Sequence, residues 1–357
     1  MGRINRGFES YIDDLATKLS IEQVNFSTIV LLGKKIKKAS YKNHSILNIP
    51  RNFSLLNWMS LSSTARFNIE QFTFFIGLLP YLLLKKPKIV YLGEYNLYCF
   101  LFKIRKALNL NFSLVLYTGG QAAPGLFDNK KDYVHHVTDV YCQMLLDQGV
   151  PANRQFILPH FVSFDFAINN ELVNDIKSKA NGKKIILSVG QIDCSIKQMH
   201  LIPKLFEGLA GTVFPIIIGA TTNETEKVIK YFNEVFQPDG YLMKQSNRNE
   251  LGNYYEAADL FILCSKKESF GFAFVEALLF NLPIFCNDFP EVHYVLKQQA
   301  TYLNLDDLEN AQVALNKSLD SFQSVSNENG EKFVRLNYSW ESLKPQYLNM
   351  FNTFISN

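Results

Sequence analysis

The amino-acid sequence predicts an α/β protein in which helices cover parallel sheets. Strand-like apolar runs alternate with helix-period stretches along the chain, which is the pattern of repeated βαβ units. The chain has 357 residues, of which 47% are hydrophobic and 19% charged, so it is long enough for two globular domains of average size. We therefore expect two Rossmann-like domains facing a cleft.

The first half begins with a helix and continues with strands. Phe8, Tyr11, Leu15 and Leu19 recur at helical spacing. Apolar runs bounded by polar or turn-forming residues then predict strands at residues 26–32, 88–92 and 112–117.

The most apolar stretch of the chain covers residues 72–84. It is shorter than the roughly 20 residues that a transmembrane helix needs, and Pro80 interrupts it. We interpret it as a buried helix that leads into the strand at 88–92. Insertion into a membrane interface is the alternative, which Lys85, Lys86 and Lys88 would favour.

The second half has the clearer alternation of strands and helices. Short apolar runs predict strands at residues 184–189, 214–218, 241–244, 260–264 and 283–286. Amphipathic stretches between them predict helices, the clearest at residues 199–209 and 226–236.

The net charge of +3 is unevenly distributed along the chain. Residues 1–165 contain 19 Lys and Arg against 11 Asp and Glu, whereas the remainder contains 17 against 22. A basic first half can favour an anionic membrane surface or nucleic acid. No recognised nucleic-acid-binding module accompanies it, so we expect no nucleic-acid partner.

Cysteine usage and the start of the chain bear on the compartment. The five cysteines are scattered and lack Cys-x-x-Cys spacing, which favours a reducing compartment and argues against a zinc site. The first residues form a polar, glycine-containing segment instead of an apolar leader. We expect a cytoplasmic protein that can also lie peripherally at the inner face of a membrane.

Two glutamates flank a strand-to-helix turn in the second half. Glu268 follows the predicted strand at 260–264, and Glu276 lies about two turns into the next helix. Gly271 stands at the start of that helix, where free N–H groups suit an anion. Because open α/β sheets bind ligands at the carboxyl ends of their strands, this arrangement fits a bound sugar nucleotide. Two unrelated surface glutamates are the alternative.

This Glu-x7-Glu stretch resembles the donor-site signature of retaining GT-B glycosyltransferases of family 4. The resemblance continues in the strand–glycine–lysine pattern of residues 185–197, in the helix at 249–259, and in the glycine-containing loop at 2–10. The segment Tyr338-Ser339-Trp340 is similar to the entry into that family's last helix, which crosses back to the first domain. The landmarks cover most of the chain and follow the family's order.

The resemblance implies a GT-B architecture and a retaining hexosyltransferase. Residues 1–163 would form an acceptor-binding domain, 164–335 a donor-binding domain, and 336–357 a helix packed on the first domain. The enzyme would move a hexose from a nucleotide sugar to a glycan or lipid-linked acceptor within bacterial cell-surface polysaccharide synthesis. It would need no metal and no cofactor beyond the donor, because basic side chains and helix N-termini can meet the leaving group's charge.

The resemblance also assigns residues to the donor site. Lys197 would bind the donor phosphate and Glu268 the sugar hydroxyls, and Glu276 would accept the ribose hydroxyls. The backbone amides of Phe270, Gly271 and Phe272 would approach the sugar and phosphates. The family usually has an arginine where this chain has Gln191, which can donate hydrogen bonds but brings no charge. Candidate substitutes for that charge are Arg6, Lys266 and Lys267.

The first domain contributes the remaining candidates. Gly7 and Arg6 would approach the donor phosphates. Gly119, Gly120 and Gln121 follow a predicted strand and would contact the acceptor, although ordinary turn use of the two glycines is equally compatible. His135 and His136 lie on opposite faces of a strand, so at most one can reach a ligand. We take His136 as the acceptor contact and a buried core histidine as its alternative.

A non-catalytic relative that binds a nucleotide sugar or a glycan is the second hypothesis. Gln191 favours it, as does the lack of a histidine in the loop that contains Gly119. No predicted strand precedes the first glycine loop, which is a further departure from the family's pattern. A dinucleotide-dependent oxidoreductase is excluded, because no Gly-x-Gly-x-x-Gly follows a strand with an acidic residue downstream.

Overall fold

The computed structural model describes residues 7–22, 24, 26–33, 39–59, 61–118, 125–320 and 329–356. The chain divides into two compact units. Unit 1 comprises Met1–Phe161 with Leu343–Asn357, and unit 2 comprises Val162–Ser342. Every strand pair in the described residues is parallel, and helices connect most consecutive strands. The predicted α/β class with parallel sheets is therefore confirmed.

Unit 1 contains two separate parallel sheets. Its strands are β1 Val30–Leu32, β2 Asn43–Ser45, β3 Ile89–Leu92, β4 Ser113–Thr118, β5 Tyr133–His136 and β6 Gln155–Ile157. β1 pairs with β2, and the other four form a sheet in the order β3-β4-β5-β6. Its helices are α1 Gly7–Ile21, α2 Ser54–Trp58, α3 Ser63–Lys85, α4 Tyr95–Ala107 and α5 Cys142–Asp147, with a 3₁₀ turn at Ala152–Arg154.

A buried ion pair supports the four-stranded sheet of unit 1. The guanidinium of Arg105 on α4 pairs with both carboxylate oxygens of Asp132, which precedes β5 and is fully buried. Asp132 also accepts the backbone N–H of Leu114 at 3.0 Å and the hydroxyl of Tyr98 at 3.2 Å. These partners satisfy a charge whose burial would otherwise be costly, and they join α4, β4 and β5.

Unit 2 contains one six-stranded parallel sheet in the order β12-β11-β10-β7-β8-β9. Its strands are β7 Lys184–Val189, β8 Val213–Ile218, β9 Leu242–Lys244, β10 Leu260–Leu263, β11 Ile284–Asn287 and β12 Ala300–Leu303. All residues of β8 and β10 are buried, as expected for strands covered on both faces. The first five of these strands lie within one residue at each end of the segments that the sequence predicts.

Helices that lie before, between and after these strands along the chain complete unit 2. They are α6 Asn170–Ala180, α7 Leu201–Leu205, α8 Thr225–Val235, α9 Leu251–Ala257, α10 Phe272–Leu279, α11 Pro290–Leu296, α12 Leu308–Asp320 and α13 Gly330–Tyr338. Single 3₁₀ turns lie at Glu207–Leu209 and Arg248–Glu250. The single helix predicted over 199–209 is wrong, because α7 covers only five residues and a 3₁₀ turn follows it.

The last helix, α14 Trp340–Ser356, extends from unit 2 into unit 1. Its residues from Leu343 onward belong to unit 1. There the hydroxyl of Tyr347 donates to the carbonyl of Pro159 at 2.8 Å, and the hydroxyl of Tyr11 donates to that of Tyr347 at 3.1 Å. The middle of α14 is thus hydrogen-bonded to α1 and to the segment that follows β6.

The prediction that residues 72–84 form a buried helix is wrong for much of the surface of that helix. α3 has 23 residues and begins at Ser63, where the side chain of Ser62 accepts the N–H of Ala65. Phe75, Leu78 and Leu82 are buried, but other apolar side chains on this helix are exposed. By length and composition alone Thr64–Lys85 could cross a membrane, and 22% of its most apolar window is buried.

Candidate active site

The carboxyl ends of the neighbouring strands β7 and β10 bring together the two principal predicted residues. The ammonium of Lys197, in the segment after β7, pairs with Oε1 of Glu268, in the segment after β10. The hydroxyl of Ser265 donates to the same oxygen at 2.6 Å. Lys197 and Glu268 are both partly exposed, so a ligand can reach the pair. The geometry places a cation and an anion side by side, where a phosphate and a sugar hydroxyl could each find a partner.

Two acidic residues hold the segment that carries Lys197. One carboxylate oxygen of Asp193 accepts the backbone N–H groups of Ile196 at 2.9 Å and Lys197 at 2.7 Å. One oxygen of Glu224 accepts the N–H groups of Cys194 at 2.7 Å and Ser195 at 3.0 Å. These hydrogen bonds, that of Cys194 first, lower the pKa of Glu224.

Sequence reasoning missed Asp193 and Glu224. Asp193 could have been found from its position, because an aspartate often accepts hydrogen bonds from N–H groups a few residues further on. Glu224 lies beyond β8, so only the fold brings it to this segment. The N–H of Lys266 also donates to the carbonyl of Ile196 at 2.9 Å, which ties the segments after β7 and β10 together.

Gly271 forms the turn into α10 with a left-handed φ of +75°. A Cβ at this position would lie 2.6 Å from the ring of Phe274, so only glycine fits without displacing that side chain. Phe270 is buried, with its ring 5.3 Å from that of Tyr338, so its side chain belongs to the core. Phe272 is the first residue of α10, and the N–H of Phe274 donates to the carbonyl of Gly271 at 3.0 Å.

Glu276 lies on α10 and is almost completely buried. Its Oε2 accepts the hydroxyl of Tyr255 at 3.0 Å, and its Oε1 lies 3.7 Å from the guanidinium of Arg248. Burial raises the pKa of Glu276, while Arg248 and the Tyr255 hydrogen bond oppose that rise. Sequence reasoning missed both partners, because Arg248 follows β9 and Tyr255 lies on α9. The guanidinium of Arg248 therefore favours the ionised form of a carboxyl group that burial disfavours.

The position at which the resemblance predicts an arginine lies just beyond the end of β7. Gln191 follows Gly190 and is exposed. Gly190 itself is closely packed, since a Cβ on Gly219 would collide with its carbonyl. Lys266 and Lys267, the candidate substitutes, are both exposed in the segment that leads to Glu268.

The unit 1 candidates are only partly described. Gly7 is the first residue of α1. Arg6, Gly119, Gly120 and Gln121 lie outside the described residues. His136 is buried in β5 with its Nε2 2.9 Å from Oε1 of Gln155, and burial lowers the pKa of His136 to about 4. A neutral imidazole in the core fits the alternative of a structural histidine, and acceptor contact stays a prediction.

No group of three or more His, Cys, Asp and Glu residues suited to a metal ion occurs in the described part of the chain. The expectation that no metal or cofactor is needed remains a prediction. The candidate donor-site residues offer a lysine, backbone N–H groups and carboxylates, which are groups that can recognise phosphates and hydroxyls.

Comparison with known proteins agrees with this description. Residues 170–322 match the family model described as glycosyl transferases group 1, which covers the candidate donor site. No curated protein sequence matches the chain.

Solved structures resemble the chain over nearly its whole length. Sucrose-phosphate synthase from Thermosynechococcus elongatus matches with a TM-score of 0.79 and 13% identity, covering 98% of this chain and 94% of that one. HepE from Anabaena, in complex with UDP and glucose, matches with a TM-score of 0.74 and 10% identity over 98% and 96%. WaaG, a glycosyltransferase involved in lipopolysaccharide biosynthesis, matches with a TM-score of 0.70 and 13% identity over 98% and 97%.

At these identities the likeness shows the fold. The predicted GT-B architecture is therefore confirmed.

Proposed function

We propose that the chain is a retaining, metal-independent glycosyltransferase of family 4. It moves a hexose from a nucleotide sugar to a glycan or lipid-linked acceptor, in the synthesis of a bacterial cell-surface polysaccharide. The observation that carries the proposal is the Lys197–Glu268 pair beside the Gly271 turn, with Glu276 buried on the following helix. The HepE complexes with UDP, with UDP and glucose, and with UDP-glucose support a nucleotide-sugar donor.

The proposed roles follow from charge and position. The diphosphate binds the ammonium of Lys197 through charge-assisted hydrogen bonds and takes the place of Glu268 as its partner. Glu268 is then free to accept sugar hydroxyls, and the N–H groups at the start of α10 face the anionic phosphates. Glu276 accepts the two ribose hydroxyls.

The proposed reaction needs no protein base. The bond between the anomeric carbon and the phosphate oxygen breaks while the acceptor oxygen approaches from the same face of the sugar. The leaving phosphate oxygen takes the acceptor's proton, and the new glycosidic bond keeps the anomeric configuration. Lys197 stabilises the negative charge that develops on the departing diphosphate.

Turnover with a panel of nucleotide sugars, with product configuration read by NMR, tests this proposal. Lys197→Met is expected to lower kcat/KM by about 100-fold or more, the usual loss of a donor to a developing oxyanion. The control is Lys179→Met, which removes an exposed lysine paired with Asp175 on α6 of the same unit and should leave turnover unchanged. An inverted product configuration would contradict retention, and full activity of Lys197→Met would contradict its role.

The second candidate is a non-catalytic relative that binds a nucleotide sugar or a glycan. Gln191 favours it, because an exposed, neutral side chain stands where the family's arginine would supply charge. Donor binding by the wild-type protein without transfer to water or to any acceptor would support this candidate over the enzyme.

We also propose that unit 1 contacts an anionic membrane surface from the cytoplasmic side. Residues 23–93 contain ten Lys and Arg but one acidic residue, Glu70, which pairs with Arg51 at 2.5 Å. Within this stretch Leu47 is 91% exposed, Trp58 82% and Leu84 80%. Exposed apolar side chains among excess basic ones are typical of an interfacial membrane contact. The five unpaired cysteines support the cytoplasmic side.

The exposed apolar residues lie along α3 and on the segment beside it. Phe72, Ile76 and Leu83 recur at helical spacing and are each about half exposed. The N–H of Ile49 donates to the hydroxyl of Thr73 at 3.0 Å, so the segment that follows β2 contacts this helix. We call the exposed apolar residues between Leu47 and Leu84 the apolar face.

Sedimentation with lipid vesicles tests this contact. The protein should bind vesicles containing phosphatidylserine more tightly than neutral ones, and added salt should weaken binding. The double variant Phe72→Ser with Ile76→Ser should lose most binding, whereas Leu336→Ser, at a 65% exposed position in unit 2, should not. Equal binding of both variants would contradict the role of the apolar face.

A further inference from the structure

A guanidinium in unit 2 lies beside the carboxylate of Glu276 without closing on it. Arg248 begins the 3₁₀ turn Arg248–Glu250 that follows β9, and its Nη2 lies 3.7 Å from Oε1 of Glu276. That separation makes an ion pair, but it is too long for a hydrogen bond. By contrast, Nη2 of Arg105 approaches Oδ2 of Asp132 to 2.8 Å in the buried pair of unit 1. A gap therefore remains between the two charged groups beside α10.

The two carboxylate oxygens of Glu276 have different surroundings. Oε2 accepts the hydroxyl of Tyr255, which is fully buried. Burial raises the pKa of Tyr255 well above its ordinary value, so this hydroxyl stays a neutral donor. Within the described ranges no hydrogen bond reaches Oε1. Because polar atoms of nearly buried side chains normally have hydrogen-bond partners, Oε1 is the acceptor that this site offers to a ligand.

The chemistry of the two groups limits what can bind between them. The side chain of Arg248 is 43% exposed, so a ligand from solvent can reach its guanidinium. A carboxylate only accepts hydrogen bonds and a guanidinium only donates them. A phosphate or a base carbonyl would place an acceptor against Oε1 of Glu276, and an amine would place a cation against Arg248. A hydroxyl both donates and accepts, so one hydroxyl can satisfy the two groups together.

We propose that Arg248 binds the ribose of the donor together with Glu276, and that the site selects nucleotides with both ribose hydroxyls. The inference rests on the proposed function, which places the ribose at Glu276. One hydroxyl fills the gap, donating to Oε1 and accepting from the guanidinium of Arg248. The neighbouring hydroxyl donates to the remaining lone pair of Oε1.

This arrangement discriminates against deoxynucleotides. A site built to bind a hydroxyl rejects an analogue that lacks it, because the polar groups of the site are then left without a partner. Here those groups are charged, and the side chain of Glu276 is only 8% exposed, so little water can replace the missing hydroxyl. Donors built on 2′-deoxyribose, such as dTDP sugars, are therefore poor ligands, and the donor is a ribonucleoside diphosphate sugar.

Titration calorimetry of the full chain with nucleotide analogues tests the proposal. UDP, GDP, ADP and CDP identify the base that binds most tightly, and the 2′-deoxy and 3′-deoxy forms of that nucleotide are then compared with it. Each deoxy form should bind the wild-type protein at least about tenfold more weakly, the effect of one hydrogen bond to a charged group.

Arg248→Met separates the ribose contact from other roles of this side chain. It should weaken the ribonucleotide at least about tenfold, but weaken the deoxy form that lacks the bridging hydroxyl by less than about threefold, because that contact is already absent. The matched control is Arg335→Met, which removes an exposed guanidinium paired with Glu331 on α13 and should change none of these affinities. Arg248 also opposes the rise in the pKa of Glu276, so the titrations are repeated at about pH 9, where a larger fraction of Glu276 is ionised. A direct contact predicts that the loss in Arg248→Met persists there.

Several results would overturn the inference. Equal affinity of the wild-type protein for the ribonucleotide and its deoxy forms would do so and leave the proposed donor site intact. An equal loss for all three forms in Arg248→Met would mean that the guanidinium contacts the phosphates or the base. Recovery of Arg248→Met at about pH 9 would show that Arg248 acts only on the charge of Glu276. If no nucleotide binds the wild-type protein, the proposed function fails together with the inference, so the two failures are distinguishable.

Discussion

Replacing Gly271 by alanine tests the geometry of the candidate donor site through stability. A residue with a Cβ in the left-handed region costs about 1–2 kcal/mol, and Gly271 has a φ of +75°. The added methyl group would lie 2.6 Å from Cδ2 of Phe274, which is fully buried, with its ring 5.8 Å from that of Phe261. Overpacking of this kind costs about 1–3 kcal/mol. We therefore expect Gly271→Ala to lower the free energy of unfolding by roughly 2–5 kcal/mol.

Gly182→Ala is the matched control for this change. Gly182 lies in the same unit with a φ of +80°, and a Cβ there would meet nothing within 4 Å. Gly182→Ala should therefore lower the free energy of unfolding only by the conformational cost of about 1–2 kcal/mol. Urea unfolding, followed by far-UV circular dichroism, measures the free energy of unfolding of both variants. Equal losses in the two variants would refute the predicted collision with Phe274.

Three further changes test other parts of the structure. Asp132→Asn should destabilise unit 1 by about 3–5 kcal/mol in urea unfolding, because buried Arg105 then keeps only the more distant Asp128, at 4.0 Å. Asp175→Asn, which breaks an exposed pair, should cost less than about 1 kcal/mol, and similar losses would contradict the importance of burial. Burial raises the pKa of Glu276 above its ordinary 4.5, so the ionised form is disfavoured in the folded protein. Relative to Glu276→Gln, wild-type stability should therefore fall as the pH rises from below 4.5 through that raised pKa, and a pH-independent difference would contradict the assignment. Gln191→Arg should raise the transfer rate by about tenfold, the effect of one charge-assisted hydrogen bond, and an unchanged rate would show that another group already supplies that charge.

The sequence predicted most of unit 2 because its strands are short, continuous apolar runs. Such runs mark strands that are buried on both faces, and five of them lie within one residue of their predicted ends. Glu268 and Lys197 were predicted from local motifs, and the neighbouring strands β10 and β7 bring them into contact. A local sequence pattern is enough to predict a site residue when the position of that residue follows from the strand just before it.

Residues brought together from distant segments could not be predicted in this way. Arg248 reaches Glu276 from the 3₁₀ turn that follows β9, and Tyr255 reaches it from α9. Glu224 reaches the Lys197 segment from beyond β8. The length and exposure of α3 were also missed, because an apolar composition suits both a core helix and an exposed apolar surface. Helix periodicity identifies the helix, but the surrounding packing determines which side chains are exposed.

The central claim is that unit 2 holds a nucleotide sugar between Lys197, Glu268 and Glu276. Thermal unfolding of the wild-type protein against UDP, GDP, ADP and dTDP and their sugars tests it most directly. A ligand at 100 times its dissociation constant adds about 2.7 kcal/mol, so one base series should raise the unfolding temperature by several degrees. Glu276→Gln and Lys197→Met should each reduce that shift, and Lys179→Met should preserve it. No shift with any nucleotide, or a shift that all three variants retain, would contradict the donor site described here.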